Sequence, residues 1–357
     1  MSKETDRPQA VATIGVFDGV HRGHLALLRA VREQAGAVGA LAVAVTFDPP
    51  PQAILAPSAE AFEITPWAPK RALLDAAGID RLLLVRFSAE TASLGPRAFL
   101  TEVILAAFDL RRLVVGYDFR FGAGGVGDVA GLRVLGGEHG FGVTEVEAVR
   151  VGDQVVSSTL IRELLRRGAV EEAAGMLGRP FAITAPVGSG RGLGSKVLVP
   201  TANLIPEATQ LLPAEGVYLT EVEWEGSPHP AIAMVGASPT LTTGSGRLIE
   251  VHLLGFSGDL RHRELTVRFL ERMRGGRRFS GLAELGEAIG RDIDWARRRF
   301  AERAAGTLGG GGASVPGGGA AGAPDGGAQA GDAGGRTGHA GLSAGGENRL
   351  AGRPDRC

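Results

Sequence analysis

The chain reads as an α/β domain on a parallel sheet, then an antiparallel β-barrel, then a long tail without a core. Three observations give this reading. Apolar strand-like runs alternate with helical patterns up to about residue 177. Beyond it come short strand-like runs parted by Gly, Pro and Ser, and after about residue 304 Gly and Ala dominate. Alternating strand and helix implies a parallel sheet covered on both faces, whereas closely spaced short strands imply an antiparallel barrel.

In the first part, residues 10–14, 40–46, 81–87 and 111–116 are the apolar strand-like runs, with helical patterns such as 70–77 and 96–107 between them. In the second, residues 181–187, 216–223, 231–235, 249–254 and 264–270 are strand-like, and a helical pattern over 281–300 closes the domain. The expected boundaries are a short leading tail (1–9), a first domain (10–177), a second (178–303) and a terminal tail (304–357). Nineteen of the last 52 residues are Gly. Such a segment buries too little apolar surface to offset its conformational entropy, so the terminal tail is expected to be disordered.

Composition narrows the function. A formal net charge of −1 and the lack of a long basic run argue against a nucleic-acid partner. The polar first ten residues carry no signal-peptide core, and no apolar stretch approaches the roughly 18 residues of a membrane span. The only cysteine, Cys357, is the last residue, which excludes an internal disulfide and a Cys/His metal cluster. A cytoplasmic protein is expected.

The most informative segment is Thr13-Ile14-Gly15-Val16-Phe17-Asp18-Gly19-Val20-His21-Arg22-Gly23-His24. An apolar run passes through a glycine-punctuated turn into a helical pattern (Leu25, Leu27, Leu28, Val31). A strand, loop and helix N-terminus in that order make a site that favours an anion. His21 and His24, three residues apart, share one helical face and can donate hydrogen bonds to a phosphate in its transition state. A second segment, Ser157-Ser158-Thr159-Leu160-Ile161-Arg162, is a hydroxyl-rich turn opening an amphipathic helix. Ser158 or Thr159 reads as an N-cap. Hydroxyls with a fixed guanidinium also suit a triphosphate. A third, residues 114–122, ends a buried strand in an aromatic, Gly-rich loop that carries Asp118.

The first segment resembles the phosphate-binding signature of the nucleotidylyltransferase superfamily. The longer string Gly-x-Phe-Asp-Gly-Val-His-x-Gly-His is similar to that of the prokaryotic bifunctional riboflavin kinase/FAD synthetases. The resemblance covers about residues 10–300. It implies a Rossmann-like first domain and a six-stranded flavokinase barrel, whose signature matches Pro200-Thr201-Ala202-Asn203, Leu212-Pro213, Gly216-Val217-Tyr218 and Glu250-x-His252. By this resemblance His21 and His24 act on phosphates, and Gly15, Phe17, Asp118, Ser158, Thr159 and Arg162 bind nucleotide. Thr201 and Asn203 hold Mg²⁺ and nucleotide, Glu250 is the base on the ribityl hydroxyl, and Arg274 belongs to the flavin lid. The run from Gly188 through Gly190 to Gly194 could cover phosphates with its backbone N–H groups. Each piece also has a plainer reading, as turn, exposed strand residue or hairpin loop.

The chain departs from the family pattern at several places. Pro50 stands where a histidine is usual, Gly125 where an arginine is common, and Ala169 where Asp or Asn is usual. Arg261-His262 replaces Tyr-Gly, Gly276 replaces a frequent glutamate, and the loop from Gly194 to Pro200 is long. The resulting expectation is an enzyme that phosphorylates riboflavin to FMN with ATP, then adenylylates FMN with a second ATP to give FAD and pyrophosphate. Its small-molecule partners are riboflavin, FMN and ATP, its metal is Mg²⁺, and its oligomeric state is left open. Two alternatives stay open: an FMN adenylyltransferase whose barrel has decayed to a flavin-binding module, and a nucleotidylyltransferase with another acceptor. The flavokinase signature argues against the second.

Overall fold

The computed structural model describes residues 7–57, 61–188, 200–237, 247–277 and 279–309. Gly190, Gly194 and the tail beyond residue 309 lie outside the described residues. Residues Met1–Gly309 form one compact unit.

Five parallel strands make the first sheet: β1 (Gln9–Ile14), β2 (Leu41–Asp48), β3 (Arg81–Arg86), β4 (Asp109–Gly116) and β5 (Gly142–Val146), in the order β3-β2-β1-β4-β5. The helices between them are α1 (Arg22–Val38), α2 (Pro51–Leu55), α3 (Trp67–Ala76), α4 (Ala89–Ser93), α5 (Pro96–Phe99), α6 (Leu105–Ala107) and α7 (Val129–His139). A π-helical segment, Leu100–Ile104, joins α5 to α6 within what the sequence pattern reads as one helix.

Period-two alternation explains why both faces of this sheet are covered. Val11, Ala42, Ala44 and Val114 face one way and pack on Leu28, Val31 and Ala35 of α1 and Leu74 of α3. Ala10, Ala12, Val43, Val45, Leu113 and Val115 face the other way, onto Phe99, Leu100, Ile104 and Leu132. The spacing of Leu28, Val31 and Ala35 gives α1 a single apolar stripe, and Gly39 ends it in the left-handed region (φ 65°). The strand order reverses between β1 and β4, so the crevice of this sheet lies at the carboxyl end of β1.

A small hairpin of β6 (Arg150–Val151) and β7 (Gln154–Val155) leads to α8 (Ser158–Arg167) and α9 (Val170–Leu177). The barrel follows: β8 (Phe181–Gly188), β9 (Ala202–Leu204), β10 (Gly216–Trp224), β11 (Ser227–Ala237), β12 (Arg247–Leu253) and β13 (Glu264–Gly275). It closes in the order β10-β11-β12-β9-β8-β13 with every pairing antiparallel. The sequence pattern shows five of these strands; the sixth, β9, is only three residues long and sits inside the Pro-Thr-Ala-Asn signature.

Phe181, Ile183, Tyr218, Val251, Val267 and Phe269 fill the barrel, and the same apolar cluster takes in Leu164, Leu165, Val170 and Met176 of α8 and α9. The two halves therefore share one core. The last helix, α10 (Leu282–Gly309), lays Ala296 against Val217, Leu219, Ile232 and Leu270 on the outside of the barrel. It runs past the expected start of the terminal tail at residue 304. Among the described residues no helix is long and apolar enough to cross a membrane.

Candidate functional site

The loop after β1 is wound tightly. Phe17 (φ 52°), Gly19 (φ 84°) and Val20 (φ 38°) all have positive φ. For Phe and the β-branched Val this is costly backbone, of a kind that persists where surrounding structure dictates it. Phe17 is fully buried, and a Cβ on Gly15 would stand 3.2 Å from its ring. A side chain at Gly15 would therefore displace Phe17.

Asp18 holds this loop to the rest of the cleft. Its carboxylate accepts the N–H groups of Ile64 (2.9 Å) and Thr65 (3.1 Å) and a 2.7 Å bond from Arg162 Nη2. Arg162 Nε also donates to the Phe62 carbonyl at 2.8 Å, and Ser158 Oγ donates to the Asp18 carbonyl at 2.8 Å. The Ser158 hydroxyl thus ties α8 to the loop. The N-cap of α8 is Ser157, whose Oγ accepts from Leu160 N, in place of the Ser158 or Thr159 read from the sequence.

His21 is the N-cap of α1, and its Nδ1 accepts from His24 N at 3.3 Å. An accepting Nδ1 leaves the proton of the neutral ring on Nε2, so His21 presents an Nε2–H donor. The His21 and His24 rings stack at 3.6 Å and 15°, with Phe17 edge-on to His24 at 5.2 Å. Burial, helped by the charge of Arg179, lowers the His21 pKa from 6.5 to about 4. Burial, His21, Lys70 and Arg179 hold His24 well below its ordinary value. Both rings are therefore neutral near pH 7, able to donate hydrogen bonds without carrying charge. His24 Nδ1 is buried with no hydrogen-bond partner among the described residues.

A cleft of about 320 Å³ at the carboxyl end of β1 is lined by Phe17, Asp18, His24, Pro50, Phe62, Glu63, Lys70, Ser158 and Arg162 among others; His21, buried and stacked on His24, is not one of its lining residues. Lys70 is 2% exposed and stands 3.8 Å from Glu63, whose own pKa is raised by burial. In the sequence Lys70 is only the first residue of a helical pattern. The available signal was its rarity, since the chain has lysine only at positions 3, 70 and 196. Thr159 and Asp118 are exposed and do not line this cleft. Of the departures, Pro50 lines it and Gly125 sits in a left-handed turn (φ 64°) outside it.

The barrel carries a second set. Asn203 on β9 is paired with Gly188 on β8 and with Glu250 on β12. Ala202, Leu204, Ile249 and Val251 are buried in the barrel core, so by alternation Asn203 and Glu250 stand on its outer face. Thr201, half-buried, immediately precedes β9. Glu250 is half-buried, and burial raises its carboxyl pKa. Raised basicity suits a carboxylate that must take a proton. His252 Nδ1 lies 2.8 Å from the Pro200 carbonyl, which pins the start of the signature to β12.

Arg274 lies apart from this set. Its guanidinium makes two bonds to Asp292 of α10 (3.0 and 2.6 Å) and borders a cleft of about 380 Å³ between β13 and α10. Gly276 next to it is exposed, and a Cβ there would meet Glu215 at 3.6 Å, an ordinary contact. Arg261 closes a turn on the Asp259 carboxylate through its backbone N–H and its guanidinium, and His262 follows with φ 62°.

Comparison with known proteins matches this two-part architecture. The FAD synthetase family model fits residues 3–160 and the riboflavin kinase model residues 177–300. The bifunctional riboflavin kinase/FMN adenylyltransferase of Pseudomonas fluorescens is 37% identical over 294 residues, 82% of this chain and 94% of that one. The protein of the same description from Escherichia coli (strain K12) is 37% identical over 291 residues, 81% and 92% of the two chains. A crystal structure described as a macrolide-efflux protein from Streptococcus pneumoniae shares the fold, with a TM-score of 0.73 and 28% identity over 83% of this chain and 96% of that one. With both family models matched in order and near full-length relatives that join the two, the chain belongs to the bifunctional riboflavin kinase/FMN adenylyltransferase family.

Proposed function

We propose that FAD is made in the cleft at the carboxyl end of β1 and FMN on the outer face of the barrel that carries Asn203 and Glu250. The chain phosphorylates riboflavin with ATP and adenylylates FMN with ATP. The presence of both halves, each with its own signature, favours two activities over a barrel decayed to flavin binding.

In adenylyl transfer an FMN phosphate oxygen attacks the α-phosphorus of ATP, and the bond to the departing pyrophosphate breaks. The residues supply position and charge stabilisation rather than covalent chemistry. His21 donates from Nε2, His24 lies stacked against it, and the N-terminus of α1 adds its free N–H groups. Lys70, buried beside His24, is the cation placed to meet the phosphates. Ser158 and Arg162 act through Asp18, since their bonds go to that residue and to Phe62. The reading assigns these phosphate contacts to residues 10–177, and riboflavin phosphorylation to residues 178–303.

In the barrel, the ribityl hydroxyl attacks the γ-phosphorus of ATP, the bond to the β-phosphate oxygen breaks to release ADP, and Glu250 takes the hydroxyl proton. Asn203, opposite Glu250, and Thr201, just before β9, offer hard oxygen donors, a set that fits Mg²⁺, which takes few protein ligands and keeps phosphate and water oxygens. Bound there, Mg²⁺ would neutralise phosphate charge during transfer. Gly188, opposite Asn203, allows close packing, because a Cβ there would lie 2.5 Å from Ile205 Cδ1.

The observation that carries the assignment is the stacked, neutral His21–His24 pair at the start of α1, of which His24 lines the cleft at the carboxyl end of β1. The test is to incubate the protein with riboflavin, ATP and Mg²⁺ and separate the flavins by chromatography. FMN appears first and FAD follows. FAD formed from supplied FMN, with no FMN formed from riboflavin, would instead favour the decayed barrel.

A further inference from the structure

The strained loop that presents His21 is held from outside its own half of the chain. Arg179 follows α9 and precedes β8, in the connection between the two halves. Its Nη2 donates to the Gly19 carbonyl at 2.6 Å and its Nη1 to the Val20 carbonyl at 2.9 Å. Those are the carbonyls of two of the loop's three residues with positive φ. Val20 is bonded directly to His21, so the guanidinium fork fixes the peptide that leads into the N-cap of α1. Leu177, the last residue of α9, and Ile64 also pack on the loop, since a Cβ on Gly19 would meet them at 3.4 Å and 3.3 Å.

We propose that Arg179 is a positioning residue for adenylyl transfer, clamping the Gly19 and Val20 carbonyls so that His21 and His24 face the nucleotide phosphates. A planar fork with two donors in fixed relation suits this task, and a lysine offers only a point charge. The charge of Arg179 also falls on both histidines and favours their neutral, donating forms. The adenylylating machinery therefore extends past α9 into the connection to the barrel. This inference rests on the reading that the cleft after β1 makes FAD.

The test uses the full chain, with riboflavin phosphorylation as an internal control for folding. Arg179→Met should lower kcat for FMN-to-FAD conversion by about 10–100-fold, the scale of a misplaced reacting group. KM for FMN and ATP should stay within about twofold, and FMN formation should be unchanged. Added ethylguanidinium should restore part of the lost rate, which a merely structural defect would not allow. Arg179→Lys, the milder change, should fall between the two, and it carries the test if Arg179→Met does not fold. A wild-type kcat in the substituted protein, or an equal fall in both activities, overturns the proposal. His24→Ala run alongside separates the failures. If it too leaves FAD formation intact, the assignment of the cleft is wrong. If it abolishes FAD formation while Arg179→Met does not, only the role of Arg179 fails.

Discussion

Mild acid should weaken this fold through His21. Burial lowers its pKa from 6.5 to about 4, with Arg179 and Arg162 acting in the same direction and a backbone hydrogen bond opposing them. As pH falls, the unfolded chain takes up a proton near pH 6.5, whereas the native state does so only near pH 4. Between those values the unfolded state binds more protons, so the His21 contribution is full above pH 6.5 and is lost as pH falls towards 4. One unit is worth about 1.4 kcal/mol, so falling from pH 6.5 to near pH 5 should remove about 2 kcal/mol. Glu63 and Glu250, whose pKa values are raised by burial, act with the opposite sign. Their contribution is present at low pH and lost as pH rises through their folded values, so they offset part of the acid loss. His21→Asn isolates the histidine, because Asn can still cap α1 but does not titrate. Urea denaturation of both proteins near pH 7 and near pH 5 is the assay. The wild type should lose about 2 kcal/mol more than the variant. An equal loss in both would refute the argument that a buried, neutral His21 is built into the native state.

Three further outcomes follow from the same contacts. Asp18→Ala leaves Arg162 and the Ile64 and Thr65 N–H groups without their acceptor, and should cost about 3–5 kcal/mol in urea denaturation; a loss below about 1 kcal/mol would show that water replaces the carboxylate. Ala169 is the N-cap of α9 and makes no side-chain cap bond, so Ala169→Ser should raise stability by about 1 kcal/mol; an unchanged urea midpoint would show that the backbone there does not accept a cap. A fragment of residues 1–177 uncovers Leu164, Val170 and Met176, which share a core with the barrel, and should bind a hydrophobic dye or self-associate; a monomeric fragment without dye binding would contradict the shared core.

The loop after β1 was legible because glycines and polar residues break an apolar run at a strand-to-helix junction, and because its string is specific. The barrel was legible as a rhythm of short alternating runs. Four strands were not: β5, β9 and the two-residue strands β6 and β7. β9 is three residues inside a polar signature, and β5 is interrupted by Thr144 and Glu145 at the edge of its sheet. Partners across the fold were hidden for a different reason. Asp18 meets backbone N–H groups 46 and 47 residues away and Arg162 at a separation of 144. Backbone donors carry no sequence signal, so Asp18 is only a letter of a motif in the sequence, and nothing there shows that Arg162, read as a nucleotide ligand, is also its ion-pair partner. Arg179 was invisible in the same way, because its acceptors are carbonyls of a loop whose strain appears only in three dimensions.

The central claim is that one chain holds two independent chemistries, on the loop after β1 and on the face shared by β9 and β12. The most direct measurement is the flavin product pattern of wild type, His24→Ala and Glu250→Gln, each supplied first with riboflavin and then with FMN. Wild type should convert both to FAD. His24→Ala should turn riboflavin into FMN and stop there, with FAD formation reduced by about 10²-fold or more. Glu250→Gln should make about 10²–10⁴-fold less FMN from riboflavin while still converting supplied FMN to FAD. Loss of both activities in either variant, or wild-type FMN formation by Glu250→Gln, would contradict the account.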